Sequence, residues 1–476
     1  MSNPGDQDDT PVTSADELAA HLAVGAKPRD AWRIGTEHEK FGFRLPGAAT
    51  AASPAFAPPA YQPPPGEPGG IAALLDRFVS GIPGEAPRWQ PISDDGHLIG
   101  AKGGNDAAGA SLSLEPAGQF ELSGAPLPTL HDAERELLGH AAETARHAEP
   151  LGLGFAPLGF HPTGRRDAMP FMPKSRYNIM RRYMPTVGSR GLDMMLRTCT
   201  VQVNLDYGSE ADMARKLRVS LALQPVATAL FSNSPFKEGR PSGMLSTRAW
   251  VWGDTDNARS GMPALFFEPG FGFGRFVEWA LDVPMYFVSR DDRMLDMAGG
   301  SFRAWMRGKQ PGLEHLRPTL GDFDDHLTTV FTDVRLKRFL EMRGADAGSV
   351  PMMLAQSALW TGLLYDDAAL AAADALVREH PPEDYVALRA AVPERALDAP
   401  WAGGTLRALA VRVLAIADDG LRARARLDAA GADERRHLDP LRPLAAGAPT
   451  QAERWLERFH GAWNGDASRI FAEAAI

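Results

Sequence analysis

The sequence predicts an α+β protein, and three observations carry that prediction. Segments at 32–44, 111–123 and 198–207 alternate polar and apolar residues with the period of half-buried strands. Segments of helical spacing at 14–24, 129–148 and 210–231 are interleaved with them, but not as regular βαβ units. From about residue 355 the pattern turns almost wholly helical, rich in Ala, Leu and Arg.

Ser14 followed by Glu17 forms a capping-box pattern that starts the first helix. Residues 46–70 are rich in Pro, Gly and Ala and read as a surface loop, followed by a short helix over 70–80. In 111–123, Pro116 and Gly118 predict a turn or bulge rather than an unbroken strand. In TCTVQVNLDY, Cys199, Val201, Val203 and Leu205 form an apolar face, and Thr200, Gln202, Asn204 and Asp206 a polar one. Further strands are expected at 246–252, 283–288 and 334–343. The expected organisation is a flexible segment at 1–13, a catalytic core over 14–354 and a helical region over 355–476 packed on that core.

At 476 residues and 44% hydrophobic, the chain can bury a sizeable core. A net charge of −10 argues against a dedicated nucleic-acid binder. The single cysteine, Cys199, excludes an intramolecular disulfide and fits a reducing compartment. The first residues lack the basic and apolar regions of a secretory signal, and no run of about 18 apolar residues occurs. The expectation is a cytoplasmic protein with no membrane or nucleic-acid partner.

Chemistry concentrates in three distant acidic segments: GTEHEKFGF, SLSLEPAGQFELSG and RFLEMRGAD. Residues two apart on a strand share a face, so Glu37 pairs in phase with Glu39, Glu115 with Glu121, and Glu341 with Arg343. On one sheet these five carboxylates would repel unless cations lay between them. An oxygen-only donor set favours Mg²⁺, which among carboxylates usually accompanies a nucleotide phosphate. The bland readings are a solvated strand face, an exposed hairpin and an ordinary surface ion pair. EHEKFG is not a helical zinc motif, because Gly42 stands where the second His belongs. GFGFGRF at 270–276 lacks the Lys-Ser/Thr of a P-loop. Arg248, Trp250 and Trp252 fall in phase on the expected strand, as either a carboxylate holder or a structural cation–π group. Lys174, Arg176, Arg181 and Arg182 form a basic patch that is either a solvated loop or an anion site.

WRIGTEHEKFGF, LEPAGQFELSGAP, RYNIMRRYMPTVGSRGLDMMLRTCTVQVNLDYGSEADM, LALQPVATALFSNSPFKEGRP, ALDVPMYFV and LTTVFTDVRLKRFLEMRGAD together resemble the glutamate–cysteine ligases of the plant and proteobacterial type. The likeness runs from about residue 14 to the C-terminus, skipping the Pro-rich loop. It implies a fold related to the glutamine synthetase catalytic domain: a curved, mainly antiparallel sheet backed by helices, with ATP and glutamate at opposite ends of a funnel. It also implies ATP-dependent joining of glutamate to cysteine, the first step of glutathione synthesis, with Mg²⁺ as cofactor.

Carried over by motif, Glu37, Glu39, Glu115, Glu121 and Glu341 are the metal carboxylates. Glu39, Glu341 and Arg343 are then the catalytic residues. Arg176, Thr200, Arg248, Tyr286 and Trp252 form the glutamate pocket. Plant members are controlled by disulfides, but LDMAGG, GKQPGLEHL and MMLAQSALW contain no cysteine. A monomer or weak homodimer without disulfide coupling is therefore expected. The competing readings are a same-fold ligase using another amine or serving another thiol pathway, a non-catalytic binding or regulatory relative, and a metal hydrolase.

Overall fold

A computed structural model describes residues 8–81, 84, 86–104, 107–290 and 293–476. Nine segments pair into one sheet. They are β1 (Ile34–Arg44), β2 (Trp89–Asp94), β3 (His97–Gly103), β4 (Ser111–Leu114), β5 (Phe120–Ser123), β6 (Leu153–Ala156), β7 (Thr200–Leu205), β8 (Val334–Leu336) and β9 (Leu340–Asp346). The order across the sheet is β8-β9-β7-β1-β5-β4-β3-β2, and β6 pairs with the far end of β1. Every one of these pairings is antiparallel.

Alternation along the strands gives the sheet two unlike faces. Val201, Val203, Leu205, Leu340 and Met342 enter the largest apolar cluster, and Leu112, Leu114, Phe120 and Leu122 a second one. Helices α1 (Ala15–Ala23), α2 (Ile71–Ser80), α3 (Leu130–Ala148), α5 (Glu210–Leu230), α7 (Val350–Leu364) and α8 (Leu406–Arg424) pack in these two clusters, while α4 (Ser175–Val187) and α6 (Thr247–Val251) pack in a third. Helix α7 lies between the sheet strands β1 and β7 and helix α8. Every residue from Met352 to Leu364 is accordingly buried, as expected of a helix that is apolar all round. The largest cluster continues from the sheet into the C-terminal helices without a break.

Most expected elements stand. Ser14 caps α1 by accepting from the Glu17 amide, and 111–123 is a hairpin turning through Gly118 at φ 80°. Four expectations are corrected. The 246–252 segment is helix α6 rather than a strand, because the Ser246 hydroxyl accepts from the Ala249 amide and starts a helical turn. Within 283–288, only Phe287 onward is extended, pairing with Arg293–Asp296. The 334–343 segment is a hairpin, β8 and β9, folded back at Lys337–Phe339. Of the segment 1–13, residues 8–13 are held rather than flexible: Val12 is buried and its amide donates to the Pro318 carbonyl at 2.9 Å. The first seven residues lie outside the described set.

Behind the sheet, Lys40 is fully buried, 3.0 Å from His140 Nε2 and above the Phe120 ring. Burial pushes its ammonium down to about 7. The fold therefore carries a cost that is full below pH 7 and fades as pH rises toward the value of an exposed lysine. Lys40→Met is expected to raise stability by about 1–3 kcal/mol. Thermal melts at pH 6 and pH 10 should show the larger gain at pH 6.

Candidate active site

Sheet register brings the predicted carboxylates together. Glu39 on β1 lies directly opposite Glu121 on β5, and Glu121 opposite Ser113 on β4. Glu37 lies opposite Gln202 on β7, and Glu341 on β9 between Asn204 of β7 and Arg335 of β8. Like charges placed opposite on neighbouring strands repel, and here they are also buried. Burial, then Glu115 and Glu121, raise the Glu39 carboxyl well above its usual range. Burial, then Glu341 and Glu121, raise that of Glu37.

Neutral donors partly offset this. The Thr200 amide donates to Glu39 at 3.0 Å, Ser113 and Ser123 hydroxyls to Glu121 at 2.7 and 3.2 Å, and Asn204 Nδ2 to Glu37 at 2.6 Å. That last bond leaves Asn204 Oδ1 buried without a hydrogen-bond partner. Oxygen ligands that repel one another, beside an unmatched amide oxygen, fit a hard divalent cation.

Glu341 differs. Arg335 binds it through Nε at 3.2 Å and Nη2 at 2.7 Å, Lys337 Nζ lies at 3.0 Å, and Arg343 Nη1 also donates to it. Burial alone would raise its carboxyl, but Arg335, Lys337 and Arg343 hold it well below the usual range. Both of its oxygens are engaged by cations. Arg335 and Lys337 are site residues that sequence reading passed over. Lys174 is another resident of the acidic cluster: buried above the Tyr177 ring, it is pushed by burial down to about 8 despite the pull of Glu115 and Glu121.

Glu39 and Glu115 open into a small pocket lined also by Thr200, Arg248, Trp252 and Arg343, whereas Glu37, Glu121 and Glu341 are not among its lining residues. A bulge in β9 shapes it. Register slips between Met342 and Ala345, which leaves the Arg343 carbonyl to accept from Arg248 Nη2 at 2.7 Å. A Cβ on Gly344 would stand 2.1 Å from Gln224 Oε1, so a larger residue there would displace the Gln224 amide from its bond to the Gly344 backbone. On α6, Arg248 and Trp252 are four residues apart and share a face. Trp250 points elsewhere, stacking under the Arg190 guanidinium at 3.7 Å. Arg248 Nε and Trp252 Nε1 are both buried donors without partners, and both residues line the pocket.

Thr200, Arg248 and Trp252 thus converge as expected, whereas Arg176 and Tyr286 are not among the lining residues. Tyr286 donates its hydroxyl to Asp256 at 2.9 Å, under the Arg259 guanidinium. Arg176 donates to the Thr328 hydroxyl at 2.9 Å, over the Phe287 ring. Cys199 is buried and reduced, with its thiol raised well above the ordinary value by burial, consistent with a structural role.

The antiparallel sheet backed by helices is the glutamine synthetase-like fold. In fold the chain resembles a solved glutamate–cysteine ligase of Francisella tularensis in complex with AMP, at a TM-score of 0.52 and 10% identity, covering 93% of this chain and 88% of that one. The family model described as glutamate-cysteine ligase family 2 (GCS2) matches residues 33–473. The chloroplastic glutamate–cysteine ligases of Arabidopsis thaliana and Brassica juncea are each 46% identical over 463 residues, 97% of this chain and 83% and 84% of theirs. The chain belongs to glutamate–cysteine ligase family 2. These relatives overturn the cytoplasmic expectation, since their names place them in chloroplasts.

Asp346 anchors the pocket wall, accepting from the Asn233 amide and from the Ser234 and Ser246 hydroxyls at 2.6–2.8 Å. Asp346→Ala would leave three buried donors unmatched and loosen the start of α6. Chemical denaturation should show a loss of about 3 kcal/mol or more.

Proposed function

We propose that this chain joins the γ-carboxylate of glutamate to the amine of cysteine, with ATP converted to ADP and phosphate. The observation that carries this reading is the pair of unpartnered buried donors, Arg248 Nε and Trp252 Nε1, on two residues that line a pocket together with Glu39 and Glu115. A carboxylate substrate supplies the acceptors that these donors lack. The carboxylate wall is suited to a cation-bound polyphosphate.

In this reading Arg248, anchored by the Arg343 carbonyl, holds the glutamate with help from Thr200 and Trp252. Arg176 and Tyr286 brace the pocket from behind, through the aromatic layer that contains Phe287 and Phe331. An oxygen of the γ-carboxylate attacks the γ-phosphorus of ATP, ADP leaves, and γ-glutamyl phosphate forms. The cysteine nitrogen then attacks the acyl carbon, phosphate departs and the amine gives up a proton.

Glu37, Glu39, Glu115 and Glu121 would hold Mg²⁺. Glu341 would join them only by giving up part of its hold on Lys337 or Arg343. The cation supplies charge neutralisation along the phosphates when bound. Arg343 steadies the transferring phosphoryl group. The core over 14–354 carries these residues, and 355–476 acts as its helical support.

Phosphate release from ATP should require glutamate and cysteine together and yield a γ-glutamyl product. Release with glutamate and a different amine would redirect the reading, and release with neither substrate would indicate a hydrolase. Glu39→Ala is expected to lower turnover at least 100-fold while the far-ultraviolet circular dichroism is unchanged. Arg248→Ala should raise the KM for glutamate far more than that for ATP. An unchanged glutamate dependence would remove Arg248 from the pocket.

A further inference from the structure

A second group of metal-ligating side chains lies away from the carboxylate face. His131 and Glu134 are three residues apart near the start of α3 and so share a face. His437 reaches them from a 3₁₀ turn, Glu434–Leu438, in the C-terminal region. That turn is docked independently: Glu434 Oε1 accepts from the Leu130 amide at 2.8 Å, and its other oxygen accepts from Arg424 at 3.1 Å. One ligand atom from each of His131, Glu134 and His437 lies within 4.8 Å of the others.

Two features single this group out from a chance meeting of polar residues. His131 Nε2 is 3.2 Å from the Arg426 carbonyl, which can only accept, so the ring proton sits on Nε2. The lone pair on Nδ1 then faces His437. This is how a metal-bound imidazole is usually oriented, by its other nitrogen donating to a backbone carbonyl. The spacing agrees as well. His131 Nδ1 and His437 Nε2 are 3.3 Å apart, long for a hydrogen bond between ring nitrogens. Two imidazole nitrogens on one tetrahedral Zn²⁺ stand about 3.3 Å apart, given Zn–N bonds of about 2.0–2.1 Å.

We propose that His131, Glu134 and His437 form a binding site for a transition-metal ion of the Zn²⁺ class, which clips the C-terminal helical region to α3. Two imidazoles and one carboxylate suit Zn²⁺ better than the hard cations favoured by the carboxylate face. The two histidines are buried, while the Glu134 side chain is about one-third exposed, which gives an ion a route in and a water room as fourth ligand. The opposing charge is Arg436, whose Nη2 is 2.5 Å from Glu134 Oε2 and whose Nη1 is 2.9 Å from Asp428. Glu134 can keep that bond on one oxygen and offer the other to the ion, with Arg436 orienting the carboxylate. The clip would join segments about 300 residues apart in sequence, where a cross-link restricts the unfolded chain most.

The test uses the chelator-treated full-length protein titrated with Co²⁺, followed by Zn²⁺. One equivalent of Co²⁺ should produce the visible d–d absorption of a tetrahedral nitrogen-containing site, and Zn²⁺ should bleach it. Zn²⁺ should also raise Tm by several degrees. Both effects should vanish in His437→Gln and His131→Gln, and both should persist in Glu39→Gln, which separates this site from the oxygen-only carboxylate face. A wild-type protein that develops no such absorption overturns the proposal without any variant. Absorption that survives His437→Gln overturns it too.

Discussion

The dominant constraint in this molecule is the burial of like charge. Glu39 faces Glu121 across the β1–β5 pair, with buried Glu115 and half-buried Glu37 beside them. Left alone, such a row would take up protons or unfold the sheet, because a desolvated carboxylate cannot keep its charge without a partner. The remaining architecture reads as a way to hold the row in place. Helices α3, α5 and α7 seal the apolar face, so the strands cannot slip register without exposing Val201, Val203 and Leu205.

Compensating charge is distributed unevenly, and this distinguishes the two ends of the face. Glu341 meets Arg335, Lys337 and Arg343, so its charge is secured within the protein. The central carboxylates receive hydroxyl, amide and backbone donors, with Lys174 nearby. Repulsion among the central carboxylates fits a cation there, while the β8–β9 end carries positive charge suited to an anion. Buried donors and acceptors with unmet valence occur on both sides of that divide, at Arg248 Nε and Trp252 Nε1 and at Asn204 Oδ1.

Much of this was legible in the sequence because strand phase survives translation into three dimensions. Period-two spacing put Glu37 with Glu39 and Thr200 with Gln202 and Asn204, and the register then aligned them. Legibility failed where a tertiary partner or a cap overrode local pattern. STRAWVW alternates like a strand, yet the Ser246 cap and its bond to Asp346 turn it into a helix. Helical spacing then keeps Trp252 with Arg248 and sends Trp250 away. Arg335 and Lys337 were passed over because the β8–β9 hairpin turns without Gly or Pro, so the segment read as one strand. The β2–β3 hairpin carried a signal that went unused: Asp95-Gly96, with φ 48° and 75°, is a two-residue turn of the kind that closes hairpins.

Gly344 shows how closely site and scaffold are tied. Its bulge frees the Arg343 carbonyl for Arg248, and the Gly344 amide is itself fixed by Gln224 of α5 at 2.8 Å. Gln224 precedes Pro225 within that helix, and Pro225 has no amide proton to complete the helical ladder. A helix on the apolar side of the sheet thereby sets the position of the arginine on its polar side. Arg248 is thus positioned twice, from the Arg343 carbonyl and from the Asp346–Ser246 cap, although nothing in its own segment marks it as rigid. One anchor on the guanidinium and one on the helix that carries it are what discrimination between carboxylates of different length requires, since a fork free to swing would accept any of them.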